Sequence, residues 1–470
     1  MLGLFATLDL GKRSLQTQQL GVEVAGHNIA NVNTPGYTRQ RLEIQTSPAV
    51  DTPYGPQGTG ADAAAIVQLR SAFLDQQIQS ETSVTGYLQT LQNALEDAQS
   101  GLGQTINTQA SGSDGSSKQN GIAGALSNFF DAFQSLERDP SSMSARQTLL
   151  QNAADLASRF NQTDQRLASL QSQLTTSVQT DTASANDLLA QIAKLNGQIS
   201  QLESGTSSTA NDLRDLRQQK IESLANLVKI DVATDSSGAM DISIAGTTFV
   251  SGQQQLDSLQ TYDSGGGKVL VRAQNAGAAL TITGGSIAGA IDARDGQVAM
   301  LRANLNSLAS ALITEVNTVH RAGYNLNGGT GADFFTGTGA ADIHVNSALA
   351  GNAALLQASG VAGALGDSQV ALALAQLGGA SISGLNNQTF SASYNQTVAA
   401  LGQALSSVNT QVDDQNTVST LLTNQRDSVS GVSLDEEMTD LIKYQKAFQG
   451  SARIITVVDQ MLDTILNMKQ

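Results

Sequence analysis

The chain has 470 residues, enough for roughly two to four domains with a sizeable core, and its formal net charge of −16 argues against nucleic acid or an anionic membrane as a partner. It has no cysteine, which excludes a disulfide framework, a thiolate nucleophile and a Cys-ligated metal. It has no tryptophan and only 4 % aromatic residues, so its cores must rely on Leu, Val, Ile and Ala.

The first 33 residues carry a seven-residue repeat, Met1, Leu8, Leu15, Val22 and Ile29, with companions Leu4, Gly11, Gln18 and Ala25 that after Leu4 are small or polar. This is half a coiled-coil seam, too weak to fold alone and suited to a partner helix; an ordinary amphipathic core helix is the plainer alternative. The leading Leu2, Leu4, Phe5, Leu8 and Leu10 follow no basic region, and Asp9 interrupts them, so they do not read as a cleavable signal peptide. No apolar run reaches transmembrane length.

The helix cannot run past residues 28–40. Pro35 lacks a backbone N–H and pushes Thr34 out of the α region, and Gly36 permits the turn from which Tyr37 starts an extended segment. Leu42 and Ile44 alternate with polar residues, which predicts a strand over Arg39 to Thr46. Pro48, Pro53 and Pro56, with Gly55, Gly58 and Gly60, predict a loop.

From Ile66 to about Thr108 the Leu74, Leu88, Leu95, Leu102 repeat predicts a helix, and Ser111 to Ser117 a flexible linker. A short apolar helix with Leu126, Phe129, Phe130, Phe133 and Leu136 follows, stopped by Asp139-Pro140. The longest element runs from Ser144 to about Glu203 on the seam Ala153, Phe160, Leu167, Leu174, Asp181, Leu188, Leu195, Leu202. That seam weakens at Thr180 to Ser184, where a kink or break would fall. Asn211 is expected to cap a helix through Val228.

Residues 229–285 alternate at Met240, Ile242 and Ile244, at Val269 and Val271, and at Leu280 and Ile282, which predicts a small antiparallel β unit. Helix returns near Ile287 and ends at Gly323. Residues 324–392 read as a small, mixed, outward-facing module, and Tyr394 to Val429 as a further helix. The last helix is expected to begin at a capping box of Ser433 and Glu436. Its seam includes Leu434, Met438, Leu441, Phe448, Ile455 and Leu462.

Catalytic and metal chemistry is not in view. His27, His320 and His344 have no carboxylate or second histidine at ligand spacing, and there is no phosphate loop or nucleophile elbow. Gly328 to Thr336 matches one copy of a calcium-binding nonapeptide, a pattern that works only by stacking several copies. A glycine-rich turn before a buried Phe334-Phe335 pair is the better reading. Glu436 and Glu437 read as capping residues rather than a tuned acid pair. No enzyme activity and no cofactor or metal site is expected.

The stretch Asn28-Ile-Ala-Asn-Val-Asn-Thr-Pro-Gly-Tyr37 resembles the N-terminal signature of bacterial flagellar rod, hook and hook-associated proteins, and residues 431–468 resemble the matching C-terminal signature. Tyr37 to Gln40, Ser430 to Glu437, Asp139 to Gln147 and Asn211 to Gln219 are similar to the hook-associated branch. The resemblance implies a structural subunit without a cleaved signal, threaded unfolded through the flagellar type III channel and secreted to the hook tip to join hook to filament. Its implied partners are copies of itself, hook protein below, a second junction protein above, and an export chaperone at the C-terminus. Asn28, Asn31, Thr34, Pro35, Gly36 and Tyr37 are the family-motif residues, and Leu8, Leu15, Val22, Ile29, Leu434, Met438, Leu441, Phe448, Ile455 and Leu462 the expected subunit interface.

The expected fold is mainly α: an elongated helical bundle with terminal coiled-coil helices and a small antiparallel β unit. Residues 1–36 and 431–470 would form the inner tube domain; 37–228, 286–323 and 393–430 the bundle; 229–285 the β unit; and 324–392 the outer module, small for the large outer domain of longer relatives. A hook or rod subunit, with a β-rich middle, is the alternative within the class. A flagellum-associated secreted enzyme is the alternative outside it, and it lacks a pocket with paired carboxylates.

Overall fold

The computed structural model describes residues 3–52, 55–103, 121–204 and 209–468. Met1, the Ser111–Ser117 linker and the helix end near Thr108 lie outside the described residues.

Helix α1 (Leu4–Ala30) ends three residues before the Thr34-Pro35 corner. Strand β1 (Gln40–Thr46) then pairs antiparallel with β4 (Ala61–Gln68), with a register shift after Glu43, and β2 (Val50–Thr52) and β3 (Gly55–Gln57) form a small hairpin between them. Ile66 is therefore in a strand, opposite Leu42, and not in the helix expected from it. Helix α2 (Ala72–Gly101) begins later, where the Ser71 hydroxyl accepts from the Leu74 N–H. The Leu74-to-Leu95 repeat is equally compatible with either start, and the cap decides it.

The body is built on α2, α3 (Gly121–Arg138), the unbroken 61-residue α4 (Met143–Glu203), and α5 (Asn211–Leu227). At 1.5 Å per residue α4 is a rod of ~90 Å. It runs straight through Thr180–Ser184, where Val178, Thr182 and Ala185 stay buried and Thr182 Oγ1 donates back to the Val178 carbonyl. Asn211 is inside α5 rather than its cap; its amide donates to the Ile66 carbonyl instead.

The β unit comprises a four-stranded antiparallel sheet of β5 (Asp231–Thr234), β6 (Met240–Ile244), β7 (Thr247–Ser251) and β8 (Gln254–Gln255), and a separate ribbon of β9 (Leu259–Asp263) and β10 (Val269–Ala273). Both units lean on α4, whose Asn196 and Asn186 amides bond the backbone of Met240 and Leu259. Leu280 and Ile282 do not form a strand; the Leu280 N–H makes one bond to the Val271 carbonyl. Helix α6 (Gly285–Asp292) passes through a π-helical turn at Ala293–Val298 into α7 (Ala299–Arg321).

Residues 324–392 are the largest departure from expectation. They contain β11 (Phe335–Thr336), β12 (His344–Val345), α8 (Ser347–Gly351) and α9 (Gln369–Leu377), and they pack inward. Phe334, Phe335, Ile343, Leu349, Leu356 and Leu374 belong to the same continuous core as the bundle helices. Phe129 stacks edge-on against Phe133 and Phe334, with ring centroids 5.1 and 5.7 Å away. Three α7 and α4 side chains fasten this segment. Asn317 Oδ1 accepts from the Phe334 and Phe335 N–H groups; His320 sits between the Ala332 carbonyl and the Gln357 N–H; and buried Arg146 donates to the carbonyls of Pro140 and Leu356. Because Nε2 of His320 accepts, Nδ1 carries the proton. The segment closes the end of the bundle and is not an outward module.

Helices α10 (Phe390–Ser430) and α11 (Leu434–Asn467) complete the chain. The main core draws on α2 to α10 and the β unit and contains no residue of α1 or α11. The two chain ends form a separate pair.

Candidate functional site

The pair is an antiparallel two-helix coiled coil. On α11 the residues turned inward are Glu437, Leu441, Tyr444, Phe448, Ser451, Ile455, Val458 and Leu462, alternately four and three apart. That is the spacing of a coiled-coil seam. On α1 the facing ridge is small: a Cβ on Gly11 would lie 3.0 Å from Ile455, a Cβ on Gly21 would lie 2.5 Å from the Tyr444 ring, and Ser14 and Ser451 hydroxyls are 2.8 Å apart. Glycine is required at position 21, because only the bare backbone leaves room for the ring.

The pair joins the body through a polar corner. Asn28, almost fully buried, is satisfied four ways: its Nδ2 donates to the Gln40 carbonyl (2.8 Å) and to Glu437 Oε2 (3.0 Å), and its Oδ1 accepts from Tyr37 Oη (2.8 Å) and the Gln40 N–H (3.0 Å). Arg39 Nε donates to Glu437 Oε1 at 2.7 Å, its Nη1 to Glu436 Oε2 at 2.5 Å, and its N–H to the Ser430 carbonyl at 2.8 Å. Burial pulls the Arg39 guanidinium down, but the Glu436 and Glu437 carboxylates outweigh it and hold its pKa above the usual value.

Helix α5 supplies the body's side of this corner. Asp215 accepts from the Thr38 N–H (2.9 Å), Thr38 Oγ1 (2.7 Å) and Gln68 Nε2 (2.8 Å), with Arg70 beside it. Burial is the largest influence on Asp215 and raises its pKa against the pull of these donors. Asp212 accepts from Gln40 Nε2, and Gln219 Nε2 donates to the Pro35 carbonyl at 2.7 Å. Gly36 has φ of +75°, and a Cβ there would lie 2.3 Å from that Gln219 amide. Burial, followed by Asp212, Asp215 and Glu437, pushes the Tyr37 phenol well up, so it stays a hydrogen-bond donor.

The motif residues therefore have defined places. Asn28, Pro35, Gly36 and Tyr37 make the corner; Asn31 and Thr34 shape the turn, with Thr34 Oγ1 donating to Asn31 Oδ1 at 3.1 Å. Among the seam residues, Leu441, Phe448, Ile455 and Leu462 face α1, while Leu434 and Met438 are about half exposed. Leu8, Leu15, Val22 and Ile29 are half-buried, one position round from the Ser14–Gly21–Asn28 row that meets α11. The capping box does not form: Ser433 caps nothing with its side chain, and Arg39 draws Glu436 and Glu437 away. Asp215 and Gln219 were missed as site residues; the signal was Asn211 to Gln219, a stretch distinctive in itself but far from both ends.

Leu434, Met438 and Ile442 follow one exposed flank of α11, and Ile454, Val457, Met461 and Ile465 another, all between 40 and 52 % exposed. At 100° per residue the two stripes lie roughly 110° to either side of the inward seam. Among the described residues no cluster of three metal-ligating side chains exists, and no helix is long and apolar enough to cross a membrane. Asp333, within the Gly328 to Thr336 stretch, pairs with Arg321.

A model of the flagellar hook-associated protein FlgK helical domain matches residues 113–335, one of the flagella basal body rod protein matches 8–38, and one of the flagellar basal body rod FlgEFG protein C-terminal matches 424–468. The chain is 28 % identical to flagellar hook-associated protein 1 of Bacillus subtilis, over 99 % of both chains. It is 22 % identical to that of Escherichia coli, over 97 % of this chain and 98 % of the relative. In fold it is similar to the flagellar hook junction protein FlgK from Burkholderia pseudomallei, with a TM-score of 0.63 at 16 % identity, over 75 % of this chain and all of the other. Paired ends joined by a polar corner to a long helical body define a structural subunit of the flagellar axial class. Within that class the chain belongs to the flagellar hook-associated protein 1 family, at the junction of hook and filament.

Proposed function

We propose that each copy presents its α1–α11 pair as one stave of a tube. The observation that carries this is the two apolar stripes on opposite flanks of α11. Water-exposed apolar rows on both sides of one helix fit a neighbour on each side, and such head-to-tail contacts generate a ring or an open helical tube, according to whether the rotation between copies closes. Copies of this chain are the lateral partners, hook protein lies below, and a second junction protein above. Before assembly the same stripes are what an export chaperone at the C-terminus would cover, as the chain is secreted through the flagellar channel. The inward seam, including Leu441, Phe448, Ile455 and Leu462, aligns the stave, and the body, with residues 37–228, 286–323 and 393–430, stands outside it. The role is structural rather than catalytic.

The test is one charge on each flank, Ile442→Asp and Met461→Asp, in cells that lack the native chain. Both side chains point away from α1, so the isolated monomer keeps its melting temperature. The expected result is hooks without filaments and flagellin released into the medium. Normal swimming with either variant would contradict the tube role of that flank.

A further inference from the structure

The α1–α11 contacts repeat in step: Ser14 meets Ser451, Gly21 meets Tyr444, and Asn28 meets Glu437, each move of seven along α1 matched by seven back along α11. Packing alone does not settle this register: Gly21 admits the Tyr444 ring, but the Ser14–Ser451 and Gly11–Ile455 contacts would be replaced by similar ones in a neighbouring register. A slip of one heptad would set Ser14 against Val458 and Gly21 against Ser451, again small residues facing small or apolar ones, and would bring the Tyr444 ring onto position 28, where only a glycine leaves it room. The chemistry that tells the registers apart sits at the end of the seam. Glu437 is 3 % exposed, and only in the observed register does its carboxylate meet both Asn28 Nδ2 and Arg39 Nε.

We propose that Asn28 and Glu437 are positioning residues that select the register of the two chain ends. A buried polar pair is a poor source of stability but an effective source of specificity, because every misaligned state strands a carboxylate without donors. The selection is made within one chain, so it does not depend on the tube reading. Its consequence is that the two α11 flanks are presented at a fixed height and rotation relative to the body.

The absence of native cysteine makes the register directly readable. Ser14→Cys with Ser451→Cys reports the observed register, since the two hydroxyls are 2.8 Å apart. Ser14→Cys with Val458→Cys reports the slipped one. Each pair is placed in the full chain as a dilute monomer, oxidised mildly, and the closed fraction is read from gel mobility. With Asn28 and Glu437 native, the first pair closes and the second does not. With Asn28→Gly and Glu437→Leu together, which remove the polar pair and leave room for the Tyr444 ring at position 28, the slipped pair closes as well, and the ratio of observed to slipped product falls roughly tenfold or more, the factor set by 1.4 kcal/mol. Glu437→Gln, which still accepts from Asn28, keeps the observed register. If that double variant closes only the 14–451 pair, Asn28 and Glu437 do not select the register and the proposal fails. If it closes neither, the polar pair holds the helices together without choosing between registers, and the proposal fails equally.

Discussion

Replacing Arg39 by Ala cuts the link between the terminal pair and the body at one atom-level point. The arm to Glu436 is at the surface, where the partner is 63 % exposed, and contributes about 0–1 kcal/mol. The arm to Glu437 is different, because that side chain is only 4 % exposed and keeps Asn28 alone as a donor. Losing a hydrogen bond to a buried charge costs about 1.5–3 kcal/mol. A local destabilisation of about 2–3 kcal/mol speeds amide exchange by roughly 30–150-fold wherever exchange proceeds by opening of the terminal pair. The affected amides are those of the last turns of α1 and the first turns of α11. Amides of α3 and α7 keep their protection, since the main core contains nothing from α1 or α11. Hydrogen exchange read by mass spectrometry resolves the two groups. A parallel loss of protection in α3 and α7, or none in α1 and α11, would refute the division into a core-held body and a polar-hinged pair.

Ile455→Asp puts a charge against Gly11 in the inward seam at a cost of several kcal/mol; the body should fold and melt as before, while cells carrying it build hooks without filaments, and full filaments with normal swimming would count against the seam. Gly36→Ala forces a β-carbon into the left-handed region and onto the Gln219 amide, for about 1–3 kcal/mol of lost stability. Adding Gln219→Ala should recover only the clash, which denaturant titration of the single and double variants can separate. Burial holds the His320 imidazole down at about 4, below its unfolded value of about 6.5. The unfolded chain therefore takes up the proton first: stability is full above pH ~6.5 and declines toward pH ~4 by roughly 3 kcal/mol, with no further loss from this group below that. His320→Gln should flatten that part of the stability–pH curve, and an unchanged slope would show that His320 is not its source.

Periodicity made the helices legible: the heptads of α1, α4 and α11 each put one apolar stripe in the sequence that only another helix could cover. It could not rank the rows within α1, because a seam built on Gly11, Ser14 and Gly21 looks weak beside Leu8, Leu15 and Val22. Close approach of backbones favours small residues, and the larger row is displaced to the flank. The Ser433–Glu436 capping box fails for a related reason: a local rule yields to Arg39, 397 residues away in the chain. Asp215 was invisible as a partner of Thr38, 177 residues distant, until β1 and α5 were placed side by side. Residues 324–392 looked outward-facing because Gly, Ala, Ser and Asn dilute their apolar content. Phe334 and Phe335 overrule that average, since two buried rings against Phe129 are enough to pull the segment inward.

The central claim, a structural subunit at the hook–filament junction, is tested most directly by seeing where the protein sits. Ser264→Cys adds a single thiol at the exposed β9–β10 turn of a chain that has none. Gold coupled to that thiol and viewed by electron microscopy on intact flagella should mark one narrow band between hook and filament on each flagellum. Gold spread along the filament, confined to the rod, or absent from flagella that are otherwise complete would contradict the account.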